Sequence, residues 1–167
     1  WLVVDESFIE CAPDGSVSDL AEPSLIVLRS FGKFYGLAGV RLGFMLAAPE
    51  LGQRLRALLG DWPASAEALV MGRGAYGDHD WRRRTEAVLA ERADRLDDLL
   101  TRAEFRIIGG TSLFRMTRPP HAARWFQHLC RAGVLTRPFD HTPDALRFGV
   151  PTERDLPRLK RALEAFQ

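Results

Sequence analysis

Two apolar runs stand out early in the chain, Leu2-Val3-Val4 and Leu25-Ile26-Val27-Leu28. Each is continuous rather than alternating and stops abruptly, the first at Asp5-Glu6 and the second at Arg29-Ser30. Such runs predict strands covered on both faces, as in a parallel sheet flanked by helices. A third run, from Val40 to Ala47, alternates less cleanly and contains Arg41. It gives way to Pro49-Glu50, where a helix is expected to begin, with Leu51, Leu55, Leu58 and Leu59 at helical spacing. Between Ser65 and Arg102 the apolar positions (Leu69, Val70, Val88, Leu89, Leu96, Leu99 and Leu100) keep a helical interval, with charges on the other face. Gly72, Gly74 and Gly77 interrupt it, which predicts two helices or one bent helix and a domain boundary near residues 77–82.

The pattern then changes. Phe105 to Ile108 and Ser112 to Met116 read as short strands around a Gly109-Gly110 turn. A helix over residues 121–130, a strand at Val134 to Arg137 and another at Leu146 to Val150 follow. Thr152 and Asp155 form a weaker version of a capping box, opening a last helix whose apolar face is Leu156, Leu159, Leu163 and Phe166. The fold class is therefore α/β: residues 1–80 are the tail of a larger, mostly parallel α/β/α domain, and residues 81–167 a small α+β domain.

Composition adds exclusions. With 46% hydrophobic and 27% charged residues the chain is globular, not disordered. Its 23 basic and 22 acidic residues nearly cancel, so no broad field argues for nucleic acid or an anionic membrane as partner. Cys11 and Cys130 lie far apart without CxxC spacing, which fits a reducing, cytoplasmic setting rather than a disulfide framework. Trp1 opens a strand already under way, so the chain is expected to be the later part of a longer protein. The most informative count lies within the basic residues: 21 are arginine, and only Lys33 and Lys160 are lysine.

Lys33 follows a buried strand in a loop with Gly32, Gly36 and Gly39, flanked by Phe31, Phe34 and Tyr35. The glycines permit tight turning and close approach to a ligand. The aromatic neighbours predict partial desolvation, which penalises an ammonium and frees the amine as a nucleophile. Arginine, always protonated, cannot replace it in that role. The plain alternative is a surface lysine beside a glycine-rich turn. A P-loop is a poorer match, because Val27 stands where the first glycine belongs and Phe34 where Ser or Thr belongs. Asp5, at the end of the first strand, is placed to keep a cofactor ring nitrogen protonated. Ser30 and Arg41, three residues before and eight after Lys33, offer a hydroxyl and a guanidinium to a phosphate. Singly, each of these three reads as a turn, loop or surface residue. Together with Lys33 they make a pyridoxal 5'-phosphate site.

Residues 2–8 and 25–44 resemble the aspartate-aminotransferase superfamily of pyridoxal-phosphate enzymes. The run Val27-Leu-Arg-Ser-Phe-Gly-Lys-Phe-Tyr35 followed by Gly39-Val-Arg-Leu-Gly43 is most similar to the threonine-phosphate decarboxylases of cobalamin biosynthesis, beside the histidinol-phosphate aminotransferases. The stretch to Trp62 and the closing Leu146-Arg-Phe-Gly-Val-Pro151 fit the same branch. The resemblance implies Lys33 as the cofactor-bearing lysine and proton shuttle. It implies Asp5 at the pyridinium nitrogen and Ser30 and Arg41 at the cofactor phosphate. Arg147 matches the arginine that binds a substrate carboxylate, and Arg137 a second arginine of that pocket. Two arginines suit a small phosphorylated amino-acid substrate, here threonine phosphate losing CO2. The other readings are a histidinol-phosphate-type aminotransferase and an inactive fragment lacking half of its active site. The family also implies a homodimer, and an N-terminal half supplying a phosphate-binding turn and a ring stacked on the cofactor.

Phe8 departs from the family pattern, since many relatives place there a tyrosine that bonds the cofactor's phenolic oxygen; the decarboxylase branch tolerates Phe. His79, His121, His128 and His141 show no metal-ligand spacing. Arg82-Arg83-Arg84 reads as a solvated helix start, Cys130 as a small core residue, and Lys160 as a polar-face residue of the last helix.

Overall fold

A computed structural model describes residues 1–20 and 22–166. The chain divides into two compact units, Trp1–Trp81 and Arg82–Gln167.

The first unit is built on a three-stranded sheet of order β1-β2-β3, formed by β1 (Leu2–Asp5), β2 (Leu25–Ser30) and β3 (Gly43–Leu46). β1 and β2 run parallel with Leu2 opposite Leu25 and Asp5 opposite Leu28, while β3 returns antiparallel, Ser30 opposite Gly43. The parallel pair brings the carboxyl ends of β1 and β2 to one edge, where ligands gather in open α/β sheets. Helix α1 (Pro49–Leu59) starts at the expected proline. The glycine-interrupted stretch resolves into two helices, α2 (Ala66–Gly77), capped by the Ser65 side chain, and α3 (His79–Arg102). The core is aromatic. Phe31, Phe34 and Tyr35 are buried, and Phe31 and Tyr35 contact Tyr76 with ring centroids 5.4 and 5.1 Å apart. Trp81 stacks on Tyr35 at 5.8 Å.

Coverage of both strand faces, expected from the continuous apolar runs, holds for Leu25 and Val27 but not for β1. Leu2 and Val3 stay 61% and 55% exposed, because β1 pairs along one edge only and no described element lies over it. Leu58 and Leu59 of α1 are likewise exposed.

The second unit is an antiparallel sheet of order β4-β5-β7-β6. Its strands are β4 (Arg106–Thr111), β5 (Phe114–Arg118), β6 (Arg137–Pro138) and β7 (Leu146–Gly149). One sheet face packs on the larger part of α3, on α4 (Ala122–Arg131) and on α5 (Leu156–Glu164), around a core of Leu96, Leu100, Phe105, Trp125, Leu129, Leu146, Phe148, Leu159 and Leu163. Trp125 stacks on Phe166 at 3.6 Å. On β7 the alternation is strict: Leu146 and Phe148 are buried and Arg147 between them projects from the opposite face.

Several boundaries differ from the sequence pattern. Gly109 and Gly110 lie within β4 beside a register shift, and Ser112-Leu113 make the turn. Gly110, at φ 155°, has the Phe114 carbonyl oxygen 2.4 Å from where a Cβ would sit, so it serves a close strand approach instead. The expected strand at Val134 shrinks to Arg137–Pro138, because Val134 bonds back to Leu129 of α4. Thr152 Oγ1 donates to the Asp155 carboxylate at 2.6 Å instead of capping a backbone amide, and α5 begins after Asp155. Cys130 is exposed at the end of α4, so it is not a core residue; both thiols are free. Lys160 faces solvent beside Glu164. No helix among the described residues is long and apolar enough to cross a membrane.

Leu129 is fully enclosed in the second unit's core. Leu129→Ala is expected to destabilise that unit by about 2–5 kcal/mol, measured by urea denaturation followed at Trp125.

Candidate active site

Two turns of chain and one sheet edge build the first group of candidate residues. Strand alternation places Asp5 and Ser30 on one face of the β1–β2 pair and Glu6 and Arg29 on the other. Past Ser30 the chain turns through Gly32 to Gly36, and the short helical turn Ala38–Val40 brings it back as β3. Gly32 is required there: a Cβ would sit 2.9 Å from Cα of Ala38. The close approach expected of the loop's glycines is thus partly chain against chain. Arg41 closes the turn in the left-handed region at φ 57°, a conformation that costs an L-residue of order 1–2 kcal/mol.

Ser30, Lys33 and Arg41 line one open pocket of about 290 Å³, together with Gly32, Leu42 and Gly43. The Ser30 hydroxyl accepts a long bond from the Gly32 amide at 3.4 Å. The Arg41 guanidinium is exposed and, among the described residues, bonds the Ala38 carbonyl alone, at 3.3 Å, which leaves most of its donors for a ligand. Lys33 is exposed, contrary to the desolvation expected from its neighbours. The reason is packing. Phe31, Phe34 and Tyr35 turn inward to the aromatic core, and Lys33 points the other way, its Nζ 5.8 Å over the Phe8 ring. Phe8, the departure from the family pattern, thus faces the candidate nucleophile with its ring.

Asp5 lies outside that pocket's lining but within electrostatic reach of Lys33. Its carboxylate accepts from the Ser7 hydroxyl and, at 2.9 Å, from the Ser7 amide. These two bonds, the hydroxyl's first, hold the Asp5 carboxyl below the usual carboxylate range; burial opposes them, and the Lys33 charge adds the smallest lowering. Asp5 is accordingly anionic at neutral pH, as a partner for a protonated ring nitrogen must be.

Behind these residues lies a group that the sequence reading did not single out. Glu6 is buried and accepts from the Val17 amide at 2.7 Å, from the Ser16 hydroxyl and from Arg29 Nε at 3.1 Å. The Arg29 guanidinium also donates to Ser16 and Ser18 at 2.9 and 3.0 Å. This network ties the 16–18 loop to the ends of β1 and β2 on the face opposite Asp5 and Ser30. The available signal was Glu6 and Arg29 at matching positions beyond two paired apolar runs.

Arg137 and Arg147 belong to the second unit, where they stand directly opposite each other on β6 and β7. No described carboxylate forms an ion pair with either. Arg147 lies 5.2 Å over Phe114, and both guanidiniums lie over Phe139, Arg137 at 5.7 Å and Arg147 at 6.0 Å.

Comparison with known proteins gives this arrangement a family. A family model described as aminotransferase class I and II matches residues 1–166. The chain is 40% identical over 169 residues to a threonine-phosphate decarboxylase of Pseudomonas aeruginosa, covering 100% of this chain and 51% of that protein. It is 42% identical to a threonine-phosphate decarboxylase of Sinorhizobium sp, over 89% of this chain and 45% of the relative. In fold it matches a histidinol-phosphate aminotransferase from Sinorhizobium meliloti, solved in complex with pyridoxal-5'-phosphate, with TM-score 0.81 at 19% identity over 98% of this chain and 49% of that one. The chain belongs to the class I and II aminotransferase family, and it spans about half the length of the curated relatives it matches.

Two outcomes follow for the first unit. Glu6→Ala, which leaves Arg29 without its carboxylate, is expected to cost about 3 kcal/mol of stability in denaturant titrations, as loss of one partner of a buried pair does. Carboxyl-carbon NMR should find Asp5 titrating below the ordinary range, and Ser7→Ala should move it upward. Because the folded value is the lowered one, Asp5's contribution to stability is present above the unfolded carboxylate value of about 3.9 and fades as pH falls through its own.

Proposed function

We propose that the protein is a pyridoxal-phosphate-dependent decarboxylase of L-threonine O-3-phosphate, releasing CO2 and aminopropanol phosphate, the latter for the cobalamin side chain. The observation that carries this reading is the pair of adjacent guanidiniums, Arg137 and Arg147, without a carboxylate ion-pair partner among the described residues. Such a pair suits a ligand with two anionic groups, a carboxylate and a phosphate. The 40% identical relative of Pseudomonas aeruginosa, a threonine-phosphate decarboxylase by name, supports the choice of reaction.

The residues of the first unit fit the cofactor by chemistry. Ser30 Oγ and the Arg41 guanidinium, which line one pocket, would hold its phosphate. Anionic Asp5 keeps its ring nitrogen protonated. Lys33 Nζ would carry it and deliver the proton that replaces the departing carboxylate on the substrate's Cα. The bound cofactor supplies an electron sink for the pair left when a bond at that carbon breaks. Which bond breaks depends on the orientation of the substrate, and gripping both anionic ends with Arg137 and Arg147 is a way to set it. Loss of the Cα–carboxylate bond sends out CO2, and a proton takes its place on Cα. Residues 1–80 read in this way as the C-terminal part of the cofactor-binding domain and residues 81–167 as the small domain. The active assembly is a homodimer in the cytoplasm.

A transaminase of the histidinol-phosphate type is the second reading. It is supported by a histidinol-phosphate aminotransferase of Anaeromyxobacter sp., 31% identical over 97% of this chain, and would use the same residues to remove the Cα proton. Product analysis separates the two. The decarboxylase releases one CO2 and one aminopropanol phosphate per threonine phosphate with no keto acid added; the transaminase needs a keto acid and releases no CO2. Neither product from the cofactor-loaded protein would identify an inactive chain. Lys33→Arg is expected to lower kcat by roughly 10²–10⁴-fold, read from the rate of CO2 release.

A further inference from the structure

Two like charges at directly opposed positions of an antiparallel pair repel each other. Arg137 and Arg147 are so placed, and no described carboxylate forms an ion pair with either. What stands beside them instead is aromatic. Phe139 lies two residues beyond Arg137, half-buried, with its ring 5.7 Å from the Arg137 guanidinium and 6.0 Å from that of Arg147. Phe114, on the neighbouring strand, backs Arg147 from 5.2 Å. The negative face of a ring attracts a guanidinium without using any of its N–H donors. A carboxylate in the same position would neutralise the pair and occupy the fork that an anionic ligand needs. A ring offsets part of the repulsion and leaves both forks open.

From this geometry we infer that Phe139 is a positioning residue: it holds Arg137 and Arg147 together as a two-anion receptor and so determines preference for a substrate carrying both carboxylate and phosphate. The inference rests on the assignment of the two arginines to the substrate in the proposed function. Phe139 touches no reacting atom and acts through the guanidiniums. Its ring, not its volume, is what matters, because a branched aliphatic side chain fills similar space but presents no quadrupole. The His141 ring lies 5.7 Å from that of Phe139.

The test is titration calorimetry of the purified protein with O-phospho-L-threonine and, as a one-anion probe, inorganic phosphate. Phe139→Leu is expected to weaken phosphothreonine binding about tenfold while changing phosphate binding less than about twofold, and Phe139→Tyr, which keeps the ring, to stay within about twofold of the unaltered protein for both probes. Circular dichroism of both variants checks that the sheet persists. Phosphothreonine affinity unchanged in Phe139→Leu, or reduced as much in Phe139→Tyr, overturns the positioning role. Binding with the expected pattern but no CO2 release overturns decarboxylation and leaves the role of Phe139 standing. An unaltered protein that binds phosphothreonine no better than phosphate overturns both.

Discussion

Parallel pairing of β1 with β2 is the constraint on which the first unit depends. With Asp5 opposite Leu28, the carboxyl ends of both strands arrive at one edge, and the candidate site residues of the unit are placed by it. Alternation then sorts the side chains. Asp5 and Ser30 take one face, while Glu6 and Arg29 take the other and bond each other and the 16–18 loop. A slip of one residue would exchange the two faces, directing a buried ion pair outward and the candidate site inward. Glu6 and Arg29 therefore fix the register from behind as the apolar core fixes it from beside.

The second unit solves a different problem with the same alternation. Leu146 and Phe148 anchor β7 in the core, so Arg147 is forced off the opposite face, where β6 offers Arg137. Like charges are held there by rings rather than by carboxylates. Gly110 contributes at a distance. Its missing Cβ lets β4 approach the Phe114 carbonyl, and Phe114 carries one of those rings. The chain thus presents two preorganised charge patterns, one of mixed sign around Lys33 and one purely positive.

Much of this was legible in the sequence because the signals were local. The apolar runs ending at Asp5 and Ser30, the glycine loop and the survival of lysine at position 33 each need only a few neighbouring residues to be read. The last helix was equally plain, whereas the glycines left two helices or one bent helix open, and the break falls after Gly77 with Gly72 and Gly74 inside α2. What could not be read depends on partners distant in the chain. Exposure of Lys33 follows from Tyr76 and Trp81 drawing Phe31 and Tyr35 inward, and a window around Lys33 contains neither. The hairpin turn was misplaced because a glycine pair signals a turn and a close strand approach equally well. The Glu6–Arg29 bond joins residues 23 positions apart. Arg137 and Arg147 were picked out by resemblance, yet their shared ring at Phe139 emerges only when β6 and β7 pair.

In the proposed function Lys33 is the amine that carries the cofactor. Its most direct test is borohydride reduction of the protein loaded with pyridoxal 5'-phosphate, followed by proteolysis and mass spectrometry. A phosphopyridoxyl group is expected on the peptide containing Lys33 and none on the peptide containing Lys160. Modification confined to Lys160, or no modified lysine in the loaded protein, would contradict it.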